Sequence, residues 1–202
     1  MLQTQTVSPK LLELLEKIMK LNQFDDFLLV GGTSLALQIG HRNSIDIDLF
    51  GKREIDEALF TKTLQTLGTL EVFNRSKNIL ITSINGVKVD FVNYQYPLLK
   101  KPILIEGIRM ASREDVAAMK LNAIYGRGSK KDFIDLYFLL KEFSLPEMID
   151  FYLEKYFDGS KFMMIKSLTY FSDADLDQTP PIYLDFDWET CKQKIIAEVL
   201  KL

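Results

Sequence analysis

The sequence predicts an α+β fold, with a mixed sheet in the first half of the chain and helices in the second. Three observations carry this. Short runs rich in Val, Ile, Leu and Phe, bounded by glycines and an Asn-Gly pair, fall before residue 110. Longer segments with apolar residues at helical spacing fill 111–202. With 202 residues, 47% of them hydrophobic, the chain can bury a substantial core. It reads as a single compact unit, in which 1–110 form the core and 111–202 a helical part packed on it.

The elements follow in order. Ser8 and Pro9 form an N-cap and first helical position, and Leu11, Leu12, Leu15, Ile18 and Met19 then recur at helical spacing until near Leu21. Phe27 to Val30 is a short strand stopped by the turn signal Gly31-Gly32, and Ser34 to Ile39 form a short helix ended by Gly40. Ser44 to Phe50 alternate, with Ile45, Ile47 and Leu49 on one face and Ser44, Asp46 and Asp48 on the other. Ile55 to Leu67 fit a helix, followed by strands at Leu70 to Phe73, Ile79 to Ile84 and Val87 to Val92. The last two are joined by Asn85-Gly86, a strong hairpin signal. Ile103 to Ile108 read as one more strand. Ser112 with Asp115 three residues on resembles a capping box for a helix that stops at Gly126. Ser129 to Phe143 form a helix apolar nearly all round and therefore buried, which Pro146 breaks. Further helices fit Glu147 to Tyr156, Phe162 to Phe171 and Trp188 to Leu200, with an acidic, proline-containing stretch from Ser172 to Asp187.

Composition excludes several kinds of chemistry. A single cysteine, Cys191, cannot form an internal disulfide, and a single histidine, His41, cannot build a Cys/His zinc cluster or a two-histidine metalloprotease site. Neither residue has a pattern around it that assigns it chemistry. No uncharged apolar run approaches the roughly 18 residues of a membrane span, and the first residues lack an export segment, so a cytoplasmic protein without membrane contact is expected. Chemistry must rest on carboxylates, lysines and backbone amides.

The net charge of −3 is unevenly spread. Residues 100–131 carry eight basic groups against three acidic ones, and 142–202 carry six against twelve. The basic segment suits a phosphate-rich partner, because a polyanion is bound by clustered cations.

Asp46 and Asp48 lie two apart on a strand and so share a face, where they repel unless a cation intervenes. Hard Mg2+ prefers such carboxylates together with phosphates and water. Asp90 lies on the polar side of Val87 to Asn93, with Lys88, and joins them if the two strands are neighbours. Three converging aspartates could hold two metal ions about 3.5 to 4 Å apart for in-line displacement at phosphorus. Counting Asp46 as position 1 imitates a calcium loop, but Phe50 at position 5 offers no ligand. Gly31, Gly32, Thr33 and Ser34 offer exposed amides and hydroxyls of the kind that cradle phosphates. Arg42 is a candidate carboxylate organiser or phosphate contact. Lys120 rises from a mostly apolar helical stripe, either snorkelling to solvent or aimed at phosphates. Asp135 needs a partner if buried, and Lys131, Arg127 and Lys120 are candidates. Asp132 is an alternative to Asp135 as the functional acid.

Gly31-Gly-Thr-Ser-Leu-Ala-Leu37 followed by His41-Arg-Asn-Ser-Ile-Asp-Ile-Asp-Leu-Phe50 closely resembles the opening motif of the abortive-infection nucleotidyltransferase toxins, the AbiEii/AbiGii family. Val89-Asp90-Phe91 resembles that family's third-acid strand. Lys120 and the later Lys131-Asp132-Phe133-Ile134-Asp135-Leu136 are similar to its lysine and Lys-Asp-x-x-Asp-Leu motifs, so the resemblance spans about residues 27–140 in the right order. It implies the minimal nucleotidyltransferase fold of the DNA polymerase beta superfamily. It also implies transfer of a nucleoside monophosphate from an NTP with Mg2+ or Mn2+, releasing pyrophosphate. Asp46, Asp48 and Asp90 would bind metal, with Asp90 helping to activate the attacking hydroxyl. Gly31, Gly32, Thr33, Ser34, Arg42 and Lys120 would hold the nucleotide, and Asp135 would be the acid of the last motif. An RNA acceptor such as tRNA and a separately encoded antitoxin are the implied partners. The alternatives are transfer to a small molecule or a protein hydroxyl, and a non-catalytic nucleotide-binding regulator. Residues 145–202 match no motif.

Overall fold

A computed structural model describes residues 1–202. The chain divides into two compact units. One comprises Met1–Gln95 and Pro102–Ala111, the other Tyr96–Lys101 and Ser112–Leu202.

The first unit holds a seven-stranded mixed sheet. Its strands are β1 (Phe27–Leu29), β2 (Asp46–Gly51), β3 (Leu70–Arg75), β4 (Ile79–Ile84), β5 (Val87–Asn93), β6 (Ile103–Ile105) and β7 (Ile108–Met110), in the spatial order β3-β4-β5-β2-β1-β7-β6. Strands β3, β4 and β5 form an antiparallel meander, and β2 runs parallel to β5 and antiparallel to β1. The helices α1 (Pro9–Met19), α2 (Gly31–Ile39) and α3 (Glu57–Gln65) accompany it. Ser8 caps α1 by accepting from the Leu11 amide at 3.1 Å, and Pro9 takes the first turn. Four aromatic rings, Phe24, Phe27, Phe60 and Phe91, meet at centroid distances of 4.8 to 6.4 Å and anchor the core beneath β1, β5 and α3.

Several boundaries differ from expectation. Strand β2 begins at Asp46, leaving Ile45 68% exposed, because the preceding residue is tied off: the Ser44 amide donates to the Thr6 carbonyl at 2.8 Å. The segment Ile103 to Ile108 is a hairpin of two strands, turned by Glu106 (φ 51°) and Gly107 (φ 82°). Positive φ at both central residues suits the twist of a two-residue hairpin loop. The pair Gly31-Gly32 forms the first turn of α2, so it opens that helix instead of preceding it.

The second unit is helical: α4 (Arg113–Gly126), α5 (Lys130–Leu139), α6 (Leu145–Lys155), α7 (Lys161–Ser167), α8 (Ser172–Leu176) and α9 (Trp188–Val199). Helix α4 packs against α5, α6 and α7, and α5 against α8 and α9. Pro146 starts α6 in place of merely ending its predecessor, and a full capping box between Ser144 and Glu147 fixes that start. Helix α8 lies within the acidic, proline-containing stretch, where no helix was expected. No helix is long and apolar enough to cross a membrane.

Candidate active site

The parallel register of β2 and β5 sets Asp46 beside Lys88 and Asp48 beside Asp90. Adjacent residues on neighbouring strands point to the same face, and both strands alternate half-buried with buried positions. Three aspartates and one lysine therefore share one face of the sheet, while Ile47, Leu49, Val89 and Phe91 fill the core behind it. This juxtaposition was conditional on strand neighbourhood in the sequence, and the topology supplies it.

Helix α2 is stitched to this acidic strand. The Val30 amide donates to the Asp48 carbonyl at 2.9 Å, and the Thr33 hydroxyl bridges the Ser44 hydroxyl at 2.8 Å and the Asp46 carbonyl. No side chain caps the helix at Val30. The amides of its first turn have no intrahelical acceptor, which makes this end a place for an anionic group. Gly31 has φ 67°, and a Cβ there would lie 2.8 Å from Asp48 Oδ2. A Cβ on Gly32 would strike the Arg42 guanidinium. Both glycines are thus required by close approach.

The other predicted nucleotide contacts lie deeper. Thr33, Ser34 and Arg42 are buried, Ser34 accepts from the Gln38 amide nitrogen at 3.1 Å, and Arg42 donates to the Asn43 carbonyl at 2.8 Å. In this arrangement they shape the cradle from beneath, and the half-exposed Gly31 and Gly32 form its surface.

Lys88 is the site residue whose role the sequence did not disclose. Its Nζ lies 2.5 Å from Asp90 Oδ2, while the other Asp90 oxygen is buried without a hydrogen-bond partner. Burial works against the Lys88 ammonium. The Asp90 hydrogen bond and charge, with the fields of Asp46 and Asp48, outweigh it and raise the pKa above the ordinary lysine value. The signal available was the i, i+2 spacing of Lys88 and Asp90, which only the register turns into a four-charge cluster.

As donors, three carboxylates on adjacent strands, one with an orphaned buried oxygen, fit a hard divalent cation. As they stand, no three His, Cys, Asp or Glu side chains close into ready ligand geometry.

In the helical unit, Lys120 on α4 is buried and its Nζ lies 3.1 Å from Asp132 Oδ1 and 2.6 Å from Asp135 Oδ2. Asp132 also accepts from Arg127 Nε at 2.8 Å and Nη2 at 3.0 Å, and from the Ser129 hydroxyl at 2.7 Å. Burial would raise the Asp132 pKa, but the Lys120 charge, Arg127 and Ser129 together hold it well below the usual carboxylate range. Asp132 is the hub of the network, and Asp135 makes the shorter contact with the lysine. Lys120 does not snorkel to solvent. Cys191 is buried, and burial with the nearby Asp187 charge pushes its thiol pKa up to about 12, so it is inert.

The basic segment is largely engaged within the molecule. Arg109 donates to the Met19, Phe24 and Phe27 carbonyls, and Arg113 pairs with Glu142 at 2.7 Å. Lys120 and Arg127 meet Asp132, and Lys130 is buried against Asp177 and the Trp188 ring. Lys100, Lys101 and Lys131 are exposed.

The fold is one that nucleotidyltransferases share. Two solved structures share the fold: a candidate nucleotidyltransferase of H. pylori (18% identity, 95% of this chain and 91% of that one, TM-score 0.59) and the nucleotidyltransferase toxin MenT4 of Mycobacterium tuberculosis (15%, 94% and 81%, TM-score 0.52). The family described as nucleotidyl transferase AbiEii toxin, type IV toxin–antitoxin system, matches residues 13–201, and the chain belongs to it. An uncharacterized protein of Aquifex aeolicus (strain VF5) is 36% identical over 189 residues, 90% of each chain.

Proposed function

We propose that the protein transfers a nucleoside monophosphate from an NTP to an RNA hydroxyl, as on tRNA, with Mg2+ or Mn2+ at Asp46, Asp48 and Asp90. We further propose that it acts in the cytoplasm as the toxin of a pair whose antitoxin is separately encoded. The observation that supports the chemistry is the shared acidic face of β2 and β5 beside the uncapped first turn of α2.

In the reaction, the acceptor oxygen bonds to the α-phosphorus as the bond to the β-phosphate bridging oxygen breaks, and pyrophosphate leaves. A bound divalent cation would offset the charge of the polyphosphate and of the oxygens exchanging at phosphorus. The amides of Gly31 and Gly32 would hold phosphate oxygens, and the missing Cβ of Gly31 is what lets Asp48 stand so near them. The family resemblance gives Asp90 the task of accepting the proton of the attacking hydroxyl, which requires its Oδ2 to be released from Lys88. The family resemblance assigns Lys120 to phosphate neutralisation, and Asp132 and Asp135 hold its ammonium in one position.

The test is a screen of all four labelled NTPs against cellular extract fractionated into RNA, protein and small molecules, with Mg2+. Label is expected in RNA, and Asp46→Ala or Asp48→Ala should lower incorporation by at least about a hundredfold. Label in protein or small molecules instead would select another acceptor, and no label with any NTP would remove the transferase reading. Induced expression is expected to arrest growth of a bacterial host.

A further inference from the structure

Lys88 places a fixed positive charge among the carboxylates that a metal would use. Its Nζ is 2.5 Å from Asp90 Oδ2, its register partner is Asp46, and Asp48 is the register partner of Asp90. The lysine side chain is 43% exposed while Asp90 is 16% exposed, so the ammonium lies at the solvent edge of the cluster with the acid beneath it. On the other side of β5, the residues of β4 that face Lys88 and Asp90 are Ser83 and Ile81, so no further acid competes for the ammonium there.

The charges order what can enter. The Lys88 ammonium offsets part of the carboxylate charge of this face, and a free divalent cation arriving alone must displace or approach the lysine, because like charges in a half-buried site repel strongly. A cation that arrives on a nucleotide triphosphate comes as a net anionic complex, which the same ammonium attracts. The lysine stem is flexible and reaches solvent, so its head can turn from Asp90 to a phosphate oxygen when that complex arrives. A glutamine at this position would keep a polar head on a shorter stem but remove the charge.

We propose that Lys88 is a resident counter-cation of the acidic face: it holds Asp90 in the nucleotide-free protein and admits the divalent cation only in company with the nucleotide polyphosphate. This rests on the metal-dependent reading under Proposed function.

The experiment is a titration of the nucleotide-free full-length protein with Mn2+, followed by the free-ion electron paramagnetic resonance signal, for wild type, Lys88→Gln and Lys88→Arg, repeated with a non-hydrolysable NTP analogue. Lys88→Gln should bind Mn2+ without nucleotide at least about tenfold more tightly than wild type. Its melting temperature should rise on adding Mn2+, whereas that of wild type should not, and Lys88→Arg should behave as wild type does. Equal or weaker Mn2+ binding by a folded Lys88→Gln overturns the proposal. If that variant does not fold, wild type alone decides: Mn2+ binding as tight without the analogue as with it overturns the proposal. Failure of every protein to bind Mn2+, with the analogue present, overturns the metal reading itself and the proposal with it.

Discussion

A Cβ on Gly31 would meet Asp48 Oδ2 at 2.8 Å, at a backbone φ of 67° that only glycine adopts freely. Two separate penalties thus fall on one atom beside the acidic face. Gly31→Ala is expected to cost about 1–2 kcal/mol of stability, the usual penalty of the left-handed conformation. It should also lower NTP incorporation at least about tenfold, because the displaced carboxylate is one the proposed reaction would use. Urea unfolding and labelled-NTP incorporation on the same preparation check both; an alanine variant with full activity would remove Asp48 from the chemistry. The pairing of Asp46 with Asp48 was legible, since alternation along a strand is a local property of the sequence. The deeper placement of Thr33, Ser34 and Arg42 was not, because burial depends on what a distant segment brings over them.

At the scale of elements, most helices and strands follow from local signals, and the departures have local causes. The hairpin at 103–110 was hidden because Glu106 occupies a positive-φ position where Asn or Asp is the usual mark. The segment 96–101 shows no period at all, and what places it is a buried ion pair. Asp115 accepts from the Leu99 and Lys100 amides at 3.0 and 3.2 Å and from Lys155 Nζ at 2.7 Å, while Lys155 also donates to the Pro97 carbonyl at 2.6 Å. Both side chains are fully buried. The Ser112 and Asp115 spacing did mark the start of α4, where Ser112 accepts from the Asp115 amide at 3.0 Å, but the carboxylate accepts from the Ser112 hydroxyl at 2.8 Å and from the 96–101 segment in place of the Ser112 amide that a capping box would use. Lys155→Met leaves that carboxylate buried without its cation, and about 3 kcal/mol of stability should be lost. The amides of Leu99 and Lys100 should exchange faster with solvent. Adding Asp115→Asn to Lys155→Met should restore part of the loss, since it removes the uncompensated charge. Denaturant unfolding with amide exchange distinguishes this from a simple cavity effect, which the second substitution would not relieve.

At the scale of the whole molecule, charge counted along the sequence misjudges the surface. The segment 100–131 carries eight cations, but five of them, Arg109, Arg113, Lys120, Arg127 and Lys130, bond to carbonyls or carboxylates of the protein. Linear charge density predicts a phosphate-binding stripe; folding converts most of it into buried or paired scaffold, and Lys100 and Lys101 stay exposed. The consequence can be read in the salt dependence of RNA binding, because each phosphate neutralised on a single strand contributes about −0.7 to the slope of log K against log salt. If all eight cations met phosphate the slope would approach about −6, whereas two give about −1.4. The shallower value is expected for the segment's share, measured as the difference between wild type and a Lys100→Gln, Lys101→Gln variant across a salt titration by fluorescence anisotropy. Because these two side chains are exposed, the double variant should keep the wild-type melting temperature within about 1 °C. A variant with unchanged slope would mean that RNA contacts lie on cations elsewhere in the chain. On an acidic protein of pI about 5.3, the proposed RNA acceptor would be held through few phosphates, which would leave selection among RNAs to shape and to the groups that meet the reacting end.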